Sequence, residues 1–167
     1  MEKALNEQIA LEGAAMHKYL AMALWCDSEG LDGSASFFYA QSDEEREHMM
    51  KFVHYVQDQD ARAIVPTLQQ PPVTYESIYD VVQKAYEGEQ VVTASIHNLV
   101  DLAEKENDRQ TWTFLQWFVS EQLEEEVQMR KLLDKMKLIG VGSRALYFID
   151  KEFATIRQEG EAPDAEA

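Results

Sequence analysis

In the stretch Asp43-Glu44-Glu45-Arg46-Glu47-His48, Glu45 and His48 stand three residues apart. On a helix that spacing puts a carboxylate and an imidazole on one face. Both can then hold one metal ion from the same side. Alone, the pair decides nothing. The chain has 31 acids and four histidines, so roughly one such pairing arises by chance. Its meaning depends on what the other elements set opposite it.

Four long stretches carry apolar seams with spacings that alternate between three and four residues, the signature of helices packed side by side. The first reads Leu5, Ile9, Glu12, Met16, Tyr19, Ala23, and the second Phe38, Gln41, Glu45, His48, Phe52, Tyr55. The third reads Ile78, Val82, Ala85, Glu89, Val92, Ile96, Leu99, and the fourth Leu115, Phe118, Gln122, Glu125, Met129, Leu132, Met136. One glutamate interrupts each seam near its middle. Counted from the turns that join the helices, the glutamates of each pair differ in level by about 2 and about 7 Å at a rise of about 1.5 Å per residue. All four carboxylates can meet in one layer.

Four carboxylates in an apolar layer need compensation. Burying one ion costs several kcal/mol, and like charges repel as well. No lysine or arginine lies on the seams. Two divalent cations would cancel four negative charges, and oxygen and nitrogen ligands suit iron, manganese or zinc. A glutamate from each of two helices with Glu-x-x-His from the others is the recognised recipe for a dinuclear carboxylate site in a bundle. One Glu-x-x-His is present, at Glu45. Three residues after Glu125 stands Gln128, so the second is missing and the two metal positions are expected to be unequal. The bland alternative is that some of these acids are out of register and lie on the surface.

The elements that must position these residues follow from the breakers. Gly30 and Gly33 end a helix at about 2–29, and Asp32 or Ser34 can cap a second that runs to about 60. Pro66, Pro71 and Pro72 mark a long connection without periodicity. It suits a crossover along the bundle and makes the second and third helices parallel. Thr74 or Ser77 can cap the third helix, with Glu76 in its first turn, and the helix ends near 105. Asn107-Asp108 turns the chain into a fourth helix, about 109–138. After Gly140-Val-Gly142, Ser143 can cap a short fifth helix, about 144–157. The reading is all-α: a four-helix bundle with one long crossover plus a short C-terminal helix, in one domain spanning 1–157. An acidic tail, 158–167, is expected to be disordered.

A net charge of −16 argues against binding a phosphate backbone and favours attraction of cations. No nucleic acid or membrane partner is expected, since no apolar run approaches a membrane span. The N-terminus lacks an apolar signal region. With one cysteine, Cys26, read as a small buried hydrophobe, the expected location is cytoplasmic.

The chain resembles the bacterial non-haem ferritins. The resemblance rests on Leu5-Asn-Glu-Gln-Ile-Ala-Leu-Glu12, Glu44-Glu45-Arg46-Glu47-His48, Tyr86-Glu-Gly-Glu89-Gln90, Phe114-Leu-Gln-Trp-Phe-Val-Ser-Glu-Gln-Leu-Glu-Glu-Glu126 and Leu146-Tyr-Phe-Ile-Asp-Lys151. It implies that Glu12, Glu45 and His48 bind a first iron and that Glu45 bridges to a second, held also by Glu89 and Glu125. Gln122 matches a glutamine beside the centre, and Tyr19 a nearby tyrosine able to give an electron or a hydrogen bond. Glu44, Glu121 and Glu124 match a third, weaker iron site. Haem is not expected, because the methionine that ligates it in the related bacterioferritins would fall at Arg46. Met49 and Met50 are read as packing, and His17, His54 and His97 as structural or surface residues. Gly13 and Gly88, each inside a helix at a cost of about 1 kcal/mol against alanine, are expected to relieve crowding beside the ligands or to permit local deformation.

The implied activity is oxidation of Fe(II) to Fe(III) by O2 or H2O2, followed by storage as mineral inside a homo-oligomer of 24 subunits. The apolar cluster Leu146, Tyr147, Phe148 and Ile149 would supply part of the contact surface, unless the fifth helix folds back on its own bundle. Two alternatives use the same residues: a di-iron oxygenase or peroxidase acting on an organic substrate, and a non-catalytic interaction bundle.

Overall fold

The computed structural model describes residues 1–140 and 142–160, with the side chains of 143 and 157–160 left aside. Five helices follow in order: α1 Glu2–Ser28, α2 Asp32–Asp58, α3 Ile78–Glu106, α4 Arg109–Ile139 and α5 Ser143–Gly160. Helices α1 and α2 form one antiparallel pair and α3 and α4 the other, with α5 across the end against α2 and α4. No described helix is long and apolar enough to cross a membrane.

The connection 59–77 follows α1 along its length. Near its start, the Asn6 side chain donates to the Arg62 carbonyl and accepts from the Ile64 amide, at 2.9 and 2.8 Å. Further on, Leu68 lies over Gly13. At its end, Tyr75 meets Trp25 edge-on, ring centres 5.6 Å apart. The crossover thus returns the chain to the starting end of α2, and α3 runs parallel to it.

Ser77 caps α3 by accepting from the Asp80 amide at 3.1 Å, and Asp108 caps α4 by accepting from Thr111 at 3.1 Å. Asp80, not Glu76, occupies the first acidic turn of α3. The expected cap of α2 is also corrected. Leu31 stands at the cap position and Asp32 begins the helix. The acceptor comes from α5: Asp150 takes the Gly33 and Ser34 amides at 3.1 and 2.8 Å and the Ser34 hydroxyl at 2.8 Å. A carboxylate there answers the free N–H groups and the positive end of the helix together. Helix α5 continues to Gly160, past the expected end near 157, so 158–160 are helical. Residues 161–167 of the expected tail lie outside the described residues.

The apolar interior is divided. One cluster holds Tyr19, Met22, Phe38, Val82, Ala85, Met129 and their neighbours, closed below by Ala145, Ile149 and Phe153 of α5. The other holds Leu5, Ile9, Phe52, Val92, Ile96, Leu115 and Phe118. On every long helix the residue or residues between the two clusters are those that interrupt the seam: Glu12, Glu45 with His48, Glu89, and Gln122 with Glu125.

The two helical glycines differ. A Cβ on Gly13 would approach Leu68 Cδ2 and Met49 Sδ to 3.2 and 3.3 Å, so this glycine makes room for the crossover rather than for a ligand. A Cβ on Gly88 meets nothing within 4 Å. Gly88→Ala is therefore expected to raise stability by about 1 kcal/mol through helix propensity. Gly13→Ala is expected to give little or no gain, because Leu68 and Met49 must yield. Urea denaturation of both variants checks the difference.

Candidate metal centre

The four seam glutamates and His48 are each at most 6% exposed, and Glu12, Glu45, Glu89 and Glu125 lie near enough for their charges to act on one another. Glu12, Glu45 and His48 each offer a ligand atom within 4.8 Å of the other two. His48 Nδ1 lies 3.7 Å from Glu45 Oε2, too far for a hydrogen bond. Both atoms are free to face a third party.

Fixed donors hold selected oxygens. Gln8, one turn before Glu12, donates to Glu12 Oε1 at 2.8 Å and accepts from Ser95 on α3 at 2.5 Å. Gln122 donates to Glu89 Oε2 at 3.0 Å. The Tyr19 hydroxyl donates to Glu89 Oε1. Among the described residues six buried side-chain atoms lack a partner. Five belong to this layer or the turn beside it: Glu12 Oε2, Glu45 Oε2, His48 Nδ1, Glu125 Oε2 and Gln128 Oε1. Buried polar atoms are nearly always paired. Such a concentration of hard oxygen donors with one imidazole nitrogen fits divalent cations bound by carboxylates.

Proton affinity points the same way. Burial, then the charge of Glu45, pushes Glu12 well above the ordinary carboxylate range. Burial and Glu89 do the same to Glu45 and to Glu125. Glu89 rises too, chiefly through burial, while the bonds from Tyr19 and Gln122 pull it back. Burial and the Glu89 charge raise Tyr19, which keeps its phenol protonated and able to donate.

Residues 2–139 match the family model for the ferritin-like domain. The chain belongs to the ferritin family. A bacterial non-heme ferritin of Campylobacter jejuni is 41% identical over 154 residues, 92% of each chain. One from Staphylococcus epidermidis is 40% identical over 151 residues, 90% of this chain and 91% of its own. A crystal structure described as a novel open pore ferritin, from Archaeoglobus fulgidus, superposes with a TM-score of 0.90 at 40% identity. It covers 92% of this chain and 94% of its own.

The ferritin bundle gathers most of the expected residues. Glu12, Glu45, His48, Glu89, Gln122 and Glu125 share the layer, and Tyr19 touches it through Glu89. Glu44 and Glu121, both half-buried, form a second possible group with His48, which thus belongs to both. Glu124 is exposed and stands outside both groups. Gln41 holds Glu44 by donating to Oε2 at 2.8 Å. His54 and His97 are exposed and His17 half-buried. Met49 packs beside Gly13. Cys26 is fully buried, its thiol pushed up to about 12 by that burial.

Two contributors escaped the sequence reading. Gln8 is buried beside the seam, and its spacing of four from Glu12 was the available signal. Trp117 meets His48 edge-on with ring centres 5.4 Å apart and carries Lys51 Nζ over its ring at 3.9 Å, walling the imidazole from solvent.

The raised carboxyls set a pH dependence. In the metal-free protein they bind protons more tightly folded than unfolded. Their stabilising contribution is full below the ordinary value of 4.5 and is lost as pH rises through the raised folded values. Thermal melts with chelator are expected to show these groups favouring the fold more at pH 5 than at pH 8. Zn(II) should flatten that dependence, and its binding near pH 6 should release protons measurable in weak buffer.

Proposed function

We propose that this chain is an iron-storage ferritin subunit that oxidises Fe(II) at the acidic layer and delivers Fe(III) to a mineral enclosed by its oligomer. Iron is the substrate: two ferrous ions give one electron each to O2, which takes up two protons and leaves as H2O2. Glu12 and His48 would hold the first ion, Glu89 and Glu125 the second, and Glu45 would face both. Gln8 and Gln122 fix one oxygen of Glu12 and of Glu89 before iron arrives, so little rearrangement is needed. Tyr19, held protonated, orients Glu89. Carboxylates match the higher charge of Fe(III) better than that of Fe(II), which lowers the reduction potential and favours loss of the electron.

The observation that carries this reading is the group of partnerless buried atoms lining one layer between two dry clusters. The void that reaches Tyr19 and Glu89, between α1 and α3, measures about 20 Å³. It has room for about one water, which disfavours an organic substrate.

We further propose a hollow shell of 24 copies in the cytoplasm, a third weaker iron position at Glu44, Glu121 and Glu124, and no haem. Support for the shell comes from α5, whose Leu146, Tyr147 and Phe148 are 42%, 59% and 56% exposed while Ile149 and Phe153 dock on the subunit's own bundle. Such a patch calls for a partner surface. The test is anaerobic titration with Fe(II), then admission of air, with absorbance and particle size recorded. Two tight Fe(II) per subunit and oxidation of many more support the reading; saturation at two with no further uptake contradicts storage.

A further inference from the structure

Two side-chain links run between α1 and α3. Tyr19 of α1 donates to Glu89 of α3. Ser95 of α3 donates to Gln8 Oε1 of α1 at 2.5 Å, and Gln8 Nε2 in turn donates to Glu12 Oε1 at 2.8 Å. Each helix therefore braces a carboxylate carried by the other. A glutamine amide has nearly the same shape at both ends, but its nitrogen only donates and its oxygen only accepts. Gln8 is 1% exposed, so its neighbours, not bulk water, decide which end faces Glu12. An ionised carboxylate only accepts, so the nitrogen must face it. The amide oxygen is then turned toward α3, where a buried acceptor needs a donor from within the fold. The half-buried Ser95 supplies that donor.

We infer that Ser95 is a positioning residue for the first metal position, acting through Gln8. Its hydroxyl anchors the amide that holds Glu12 Oε1, which leaves Glu12 Oε2, buried and without a partner, to face the ion. This rests on the metal-centre reading of the layer and deepens it. Without the hydroxyl, the Gln8 amide keeps a bond at one end only and can turn about its own side-chain torsions. Glu12 then loses its fixed orientation, and the first ion must order both side chains as it binds. The second position is insulated from this change. Glu89 is held separately, by Tyr19 and by Gln122, and neither of these touches Gln8 or Ser95 in the hydrogen-bond pattern of the described residues. Ser95 thus tunes one of the two positions from outside the layer.

The test is titration of the intact assembled protein with Co(II) under argon, with the visible absorption of the ion reporting each binding step. The step abolished in His48→Ala marks the first position, and the step abolished in Glu125→Ala marks the second. Gln8→Leu is expected to weaken the first step by about tenfold and to leave the second within about twofold. Ser95→Ala should weaken the first step by about three- to tenfold, the worth of one hydrogen bond, again sparing the second. Ser95→Thr keeps the hydroxyl and should restore the first step. In the Gln8→Leu background Ser95→Ala should add nothing, because the two side chains act in series. An unchanged first step in Ser95→Ala overturns the inference. So do equal weakening of both steps and additive losses in the double variant, which mark a packing role. A wild type without any step that His48→Ala removes overturns the metal-centre reading itself, so the two failures are distinct.

Discussion

Glu45→Gln is expected to slow aerobic oxidation of Fe(II) by at least about 100-fold. Altering partners that merely orient a metal ligand commonly costs about 10–100-fold, and Glu45 is the residue proposed to face both ions. The same change is expected to make the metal-free protein more stable at neutral pH. Glu45 is 3% exposed, and its proton affinity is raised by burial first and by Glu89 second. An amide of the same shape removes that charge and relieves Glu12, which Glu45 itself pushes up. Burying an unpaired ion costs several kcal/mol, part of which partial protonation already relieves. A gain of about 1–3 kcal/mol follows, and each kcal/mol moves the melting point by about 2–4 °C in a chain of this size. Activity and stability thus move in opposite directions, as they do where a site is held at a cost to the fold. Stopped-flow oxidation and thermal melts in chelator check the two halves. Loss of both stability and activity would mark Glu45 as a plain structural residue.

Gly33→Ala is expected to destabilise by about 2–4 kcal/mol although it adds a single carbon to a helix. The added Cβ would fall 2.2 Å from the Asp150 carbonyl oxygen, a backbone atom with no rotamer to escape into. Helix α5 must move away. It then loses the Asp150 carboxylate as cap of α2, worth about 0.5–2 kcal/mol, and part of the burial of Ile149 and Phe153, worth about 1.5–3 kcal/mol for each full side chain. Urea denaturation reads the loss, and limited proteolysis should then cut within α5. A second effect tests the assembly proposal. Displacing α5 moves the exposed Leu146-Tyr147-Phe148 face, so the size-exclusion profile should shift toward smaller species. Asp150→Asn, which keeps an acceptor, should cost less.

The contrast between these two sites shows what a sequence exposes. The acidic layer was legible because each seam has a fixed period and a glutamate breaks it. Counted from the turns, Glu12, Glu45, Glu89 and Glu125 fall at one level. The cap of α2 was not legible. Its acceptor, Asp150, lies 116 residues from Ser34, and local rules favour the nearer Asp32 and Ser34. Gln8 was missed for a related reason: it flanks the seam, and only the fold shows Ser95 of α3 completing its bonding. The cluster Leu146, Tyr147, Phe148 and Ile149 on α5 was legible as apolar. Which residues dock and which remain outside depends on how the helix crosses the bundle end, and that angle is a tertiary property. Gly13 was read as a relief beside the ligands, but the group that needs the space is Leu68, brought there by the crossover.

The proposed function rests on buried acids whose charge cations would balance. The most direct test is diffraction from crystals soaked anaerobically in Fe(II), with data recorded on both sides of the iron absorption edge. Two anomalous peaks per subunit are predicted, one among Glu12, Glu45 and His48 and one among Glu45, Glu89 and Glu125. A layer without anomalous density, its carboxyl groups bonded to one another instead, would contradict the account.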